Sequence, residues 1–146
     1  MTQNPQVSGW LKLPTFASLL NQKLLLLSDS SDYVAVDQYF FRDCLRPLID
    51  KIQLDERWYL QKYPDVRQAI SKKIVSDAKD HFIRFGYFEH RLPYHIKVQE
   101  DWYLEQYPDI KKAIEEKDFK SGQEHFEIVG FREGRIPHPN FDLAGA

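Results

Sequence analysis

Two histidines, His81 and His125, stand 44 residues apart, and a glutamate and an arginine follow each at the same spacing: Glu89 and Arg91, Glu133 and Arg135. An imidazole, a carboxylate and a guanidinium held together can run acid–base chemistry, with the arginine gripping a phosphate or carboxylate. As metal ligands the histidines lack a second His or Cys at i+3 or i+4 on the same helix, which is the spacing a zinc site uses. The expected role of each is a packing histidine whose ring nitrogen bonds a neighbouring carbonyl or carboxylate. For Glu89/Arg91 and Glu133/Arg135 the expected role is a clamp. Each arginine reaches back to helix-terminal carbonyls, or to Asp65 or Asp109, and pins the chain that follows. A duplicated fold needs that twice, whereas an active site need not occur twice.

The pairs Trp58-Tyr59 and Trp102-Tyr103 are the other chemistry-bearing set. Adjacent helical positions point about 100° apart, so one ring of each pair is core and the other can reach a surface as a stacking platform for a sugar or a base. Trp58, Tyr59, Trp102, Tyr103, Arg91 and Arg135 are therefore the candidate binding residues. The sequence has no nucleophile elbow, phosphate-cradling glycine loop, CxxC pair or HExxH helix. The expectation is a protein that is not an enzyme, with no cofactor and no bound metal. An enzyme built on His81, Glu89 and their counterparts ranks last.

These residues sit in two segments that align without a gap. Trp58-Tyr59-Leu60-Gln61-Lys62-Tyr63-Pro64-Asp65-Val66 matches Trp102-Tyr103-Leu104-Glu105-Gln106-Tyr107-Pro108-Asp109-Ile110, and 15 of the 36 positions from Trp58 to Pro93 recur. The spacing predicts two tandem three-helix repeats of period 44, in residues 54–97 and 98–138. In each, a first helix (from Asp55 to about Lys62 in the first repeat) breaks at the tyrosine before proline. Pro64 or Pro108 then opens a second helix at its first position. Ser121-Gly122-Gln123-Glu124 is a capping-box pattern for a third helix, with Asp77 and Asp80 at the matching places. Gly86 and Gly130 are expected to end that helix as left-handed caps.

Two repeats are few for a stable array, so residues 10–53 are expected to add a helical segment against which the repeats pack. Helices are expected from Phe16 to Gln22 and from Val36 to Leu45, with Pro47 kinking or ending the second and Leu48 to Ile52 resuming it. Residues 1–9 and 139–146 are expected to be flexible tails. With 20 basic against 22 acidic residues the net charge is −2, which gives no pull toward nucleic acid or anionic membrane. Cys44 is a lone cysteine, expected to be buried and structural. The longest aliphatic run, Leu24–Leu27, is far too short to span a bilayer. These features set the expectation of a cytoplasmic protein.

The pattern Trp-Tyr-Leu-x-x-Tyr-Pro-Asp-(Val/Ile), then His-Phe, then Gly-(Tyr/Phe)-x-Glu-x-Arg-x-Pro resembles a bacterial tandem repeat. Units of that kind occur beside glycosyltransferase and other polysaccharide-associated domains, and in short stand-alone proteins. The resemblance covers residues 54–137 and implies a repeat, without implying an activity. The first copy has His90 where the second has Gly134, so its tail is expected to be angled differently. The function expected is an all-α, non-catalytic adaptor or accessory module whose partner is another protein, a second copy of itself included. The alternative is a carbohydrate-related accessory that binds a glycan or a glycosyltransferase.

Overall fold

The computed structural model describes residue 23, the backbone of residues 25–27, and residues 34–145. The chain divides into two compact units, Met1–Pro47 and Leu48–Ala146. The fold is all-α in character, with seven α-helices among the described residues and one short β-hairpin. In the first unit β1 (Leu25–Leu27) pairs antiparallel with β2 (Val34–Val36), Leu25 facing Val36 across the ladder. Val36 thus belongs to a strand, and helix α1 (Gln38–Ile49) begins only after Asp37. The Asp37 carboxylate accepts from the Tyr39 and Phe40 amides at 3.0 and 2.9 Å, which satisfies donors the first turn leaves open. Pro47 lies inside the last turn, and the helix runs on past it to Ile49. Cys44 is exposed, contrary to the expectation of a buried thiol, since it points away from the helix face that carries Leu45 and Ile49. The expected helix from Phe16 to Gln22 and the first tail lie outside the described residues.

In the second unit α2 (Glu56–Lys62), α3 (Pro64–Ser71) and α4 (Ala78–His81) are followed, each 44 residues on, by α5 (Glu100–Gln106), α6 (Pro108–Glu115) and α7 (Gly122–His125). Asp55 caps α2 by accepting from the Trp58 amide at 3.0 Å. Tyr63 and Tyr107, each before a proline, sit at φ −121° and −123°, outside the helical region, and there the chain breaks. Asp77 and Ser121 cap α4 and α7 through the amides of Asp80 and Glu124.

Both short helices α4 and α7 widen into π-helical turns, Phe82–Gly86 and Phe126–Gly130. That widening overturns the reading of Gly86 and Gly130 as left-handed caps: neither has a positive φ. The helical path runs on past them, and the left-handed position falls four residues later, at His90 (φ 59°) and Gly134 (φ 75°). There Arg91 and Arg135 donate their amides to the Gly86 and Gly130 carbonyls, each at 2.9 Å, closing a Schellman-type end. His90 takes the conformation its glycine counterpart takes, so the two tails leave at the same angle. Lys73 and Lys117 (φ 57° and 68°) close α3 and α6 in the same way.

The packing boundaries fall earlier than the aligned motif suggests. Leu92 and Ile96 at the end of the first repeat and Val98 at the start of the second join Tyr103, Ile110 and Phe126 in one buried cluster. Ile49 and Ile52, 44 residues before Pro93 and Ile96, are buried likewise. Lys79 Nζ holds that earlier stretch by donating to the Asp50 and Ile52 carbonyls, as Gln123 Nε2 donates to Ile96. Residues 139–145 are not a free tail: Phe141 and Leu143 pack on the cluster, and the Tyr94 hydroxyl donates to the Leu143 carbonyl.

Candidate functional site

Tyr59 on α2 and Tyr103 on α5 are fully buried, each packed against the buried histidine and phenylalanine of the third helix of its repeat. Each hydroxyl shares a hydrogen bond with a buried histidine: Tyr59 with His81 Nδ1 at 3.1 Å, Tyr103 with His125 Nδ1 at 3.0 Å. Burial holds both histidines below the ordinary pKa of 6.5, with the nearby Arg91 or Arg135 charge acting in the same sense. Burial likewise pushes both tyrosine hydroxyls well above their ordinary value. The imidazoles are therefore neutral near neutrality, and the phenols stay protonated. Gly86 and Gly130 let these hydroxyls approach the backbone, since an added Cβ would collide with Tyr59 Oη or Tyr103 Oη.

Outside this buried pair lies the arginine clamp. Arg91 donates through both terminal nitrogens to Asp65 at 2.9 and 2.7 Å, and through Nε to Glu89 at 2.7 Å. Arg135 repeats this with Asp109 at 3.1 and 2.7 Å and Glu133 at 2.8 Å. The guanidinium planes lie over the Tyr63 and Tyr107 rings, with centroids 4.9 and 4.8 Å away. The bidentate bond from arginine holds the Asp65 and Asp109 carboxyls below the usual range. The Tyr63 and Tyr107 hydroxyls accept from the Leu92 and Ile136 amides, tying the tail to the break between helices. Sequence reasoning treated these tyrosines only as residues before proline. Their recurrence was the available signal for more.

Of the candidate binding residues, Tyr59 and Tyr103 are sealed inside and present no face to a ligand, which corrects their assignment as platforms. Trp58 and Trp102 are half-buried against the core cluster. Trp58 also carries Lys62 Nζ over its ring at 5.3 Å. Arg91 and Arg135 have their charge engaged by two carboxylates each. Pro64 and Pro108 open α3 and α6. Among the described residues no group of three His, Cys, Asp or Glu side chains is placed to hold a metal. No helix among them is long and apolar enough to cross a membrane.

One open groove lies where the repeats meet. It has a volume of about 420 Å³ and is lined from the first repeat by Lys62, Tyr63 and the tail from Glu89 to Arg91, and from the second by Glu127, Ile128, Phe131 and Arg132. Lys62 Nζ crosses the junction to Glu127 at 2.6 Å, and Glu127 also accepts from Gln123 at 2.9 Å. Burial pushes the Glu127 carboxyl up, but these two bonds outweigh it and hold its pKa low. Ile128 is 61% exposed on the rim, where the first repeat has Arg84 paired with Asp80. Compared with family models, curated proteins and solved structures, the chain matches none.

Proposed function

We propose that this protein is a non-catalytic helical module that binds another protein. The observation behind this reading is that the recurring acid–base residues are committed within their own repeats. His81 and His125 are buried on tyrosine hydroxyls, and Arg91 and Arg135 are held between two carboxylates each. A catalytic set needs groups free to meet a substrate, and here the recurring groups hold the fold. What the second unit leaves outward is a rigid surface with exposed apolar side chains, Ile74 and Ile128 among them. A cytoplasmic adaptor or accessory subunit fits that surface.

The test is to tag the protein in its own cell, purify it at moderate salt and identify companions by mass spectrometry. A companion at about one-to-one stoichiometry is expected. Recovery of the protein alone would count against the reading. The alternative, an accessory that binds a glycan, draws on the exposed part of Trp58 and Trp102. For it, Trp58→Ala would abolish retention on a glycan resin, whereas Ile128→Asp would leave that retention unchanged.

A further inference from the structure

We propose that residues 139–145 form a releasable strap, and that the face beneath it accepts the same strap from a second copy of the chain. The proposal does not rest on a companion protein. The stretches leading into α2 and α5 each bury an isoleucine, Ile52 and Ile96, and Val98 is buried beside the second. The third helix of each repeat then fastens its stretch. Lys79 Nζ donates to the Asp50 and Ile52 carbonyls, while Gln123 accepts from Val98 N and donates to the Ile96 carbonyl. Forty-four residues beyond Ile96 and Val98 stand Asn140 and Asp142, and both are exposed. The apolar residues here are Phe141 and Leu143, one place out of register. In an extended segment that slip turns them to the other face. They pack on the buried cluster that contains Ile96, Val98 and Tyr103, and each is only half-buried.

The strap is held from one side. Among the described residues, its one hydrogen bond to the body of the repeat runs from the Tyr94 hydroxyl to the Leu143 carbonyl, at 3.2 Å. The Ala144 and Gly145 amides donate only to Asp142, within the strap. A cleft of about 570 Å³ remains between the strap and the stretch from Tyr94 to Gln99. Asn140, where the chain turns, takes a left-handed backbone (φ 58°), a conformation that a residue with a side chain adopts at a cost. Release therefore gives up one hydrogen bond and two half-buried side chains, and it frees Asn140. Whatever seats the strap on its own repeat seats it equally on a second copy, because the two faces are identical. Exchange is then reciprocal and two-fold, and each face is completed by Phe141 and Leu143 of the other copy.

The test follows the mass of the full chain by light scattering as concentration rises, with a synthetic peptide of residues 138–146 as competitor. Wild type should pass from monomer to dimer between about 10 μM and about 1 mM, and excess peptide should return it to monomer. Phe141→Asp/Leu143→Asp should stay monomeric throughout, while Ile128→Asp should dimerise as wild type does. NMR on a dimer of one carbon-labelled and one nitrogen-labelled copy should place the Phe141 ring of one against residues 94–99 of the other. A chain that stays monomeric up to about 1 mM would overturn the proposal. So would a dimer that survives Phe141→Asp/Leu143→Asp or the peptide, or one in which Phe141 meets residues 94–99 of its own copy only.

Discussion

Tyr59 and Gly86 act as one unit, and so do Tyr103 and Gly130. The tyrosine hydroxyl sits against a helical backbone that only glycine leaves open, and from there it reaches the histidine. Gly86→Ala should destabilise the fold by about 1–3 kcal/mol through overpacking. Tyr59→Phe should cost about 1–3 kcal/mol, because His81 Nδ1 loses its buried partner. In the double variant the colliding hydroxyl is gone, so chemical denaturation should give a total clearly below the sum. Strict additivity would refute the shared packing. His90 supplies the opposite case: a side chain sits where the backbone is strained. His90→Gly relieves a left-handed residue and should raise stability by roughly 0.5–1 kcal/mol, after allowing for the freer unfolded chain. A loss of stability there would mean the ring makes a contact worth more than the strain.

At the scale of elements, the junction depends on Gln123 of α7, whose amide accepts from Val98 N at 2.8 Å and donates to the Ile96 carbonyl and to Glu127. Gln123→Ala should cost about 1–3 kcal/mol, since it leaves half-buried backbone groups without partners. Hydrogen exchange should then speed up at Val98 before it does at Tyr59. The helices themselves were legible in the sequence. Pre-proline tyrosines, Asp and Ser caps and apolar spacing are local signals, and α2 to α7 follow them. Three features were not legible. The π-helical turns end at glycines that lie against a tyrosine from another helix, a tertiary contact that local sequence does not signal. The left-handed lysines at Lys73 and Lys117 run against propensity. The hairpin of β1 and β2 depends on pairing between segments that give no alternating pattern. At the candidate site, the arginine contacts to Asp65 and Asp109 were legible from their recurrence, whereas the histidines meet tyrosine hydroxyls and not the expected carbonyls or carboxylates. The groove residues Ile128 and Arg132 do not recur, so the repeat pattern gave no signal for them.

For the whole molecule, the two buried histidines make stability depend on pH. Both have pKa values below 6.5 in the folded state, so below that pH the unfolded chain binds more protons. Their contribution is fully present above pH 6.5 and is lost as pH falls through the folded-state values. Asp65 and Asp109, also held low, add a second loss as pH drops below their ordinary 3.8. Melting temperature should therefore decline from about pH 6.5 downward, and in the His81→Gln/His125→Gln variant the upper part of that decline should flatten. An unchanged profile would mean the histidines are not what titrates. The central claim is that the clamp residues hold the fold while the exposed apolar surface that includes Ile128 holds a partner. The most direct measurement compares partner recovery with melting temperature for tagged wild type, Arg91→Lys and Ile128→Asp. The account predicts that Arg91→Lys lowers the melting temperature, whereas Ile128→Asp leaves it unchanged and loses the companion protein. A companion retained by Ile128→Asp but lost by an equally stable Arg91→Lys would contradict it.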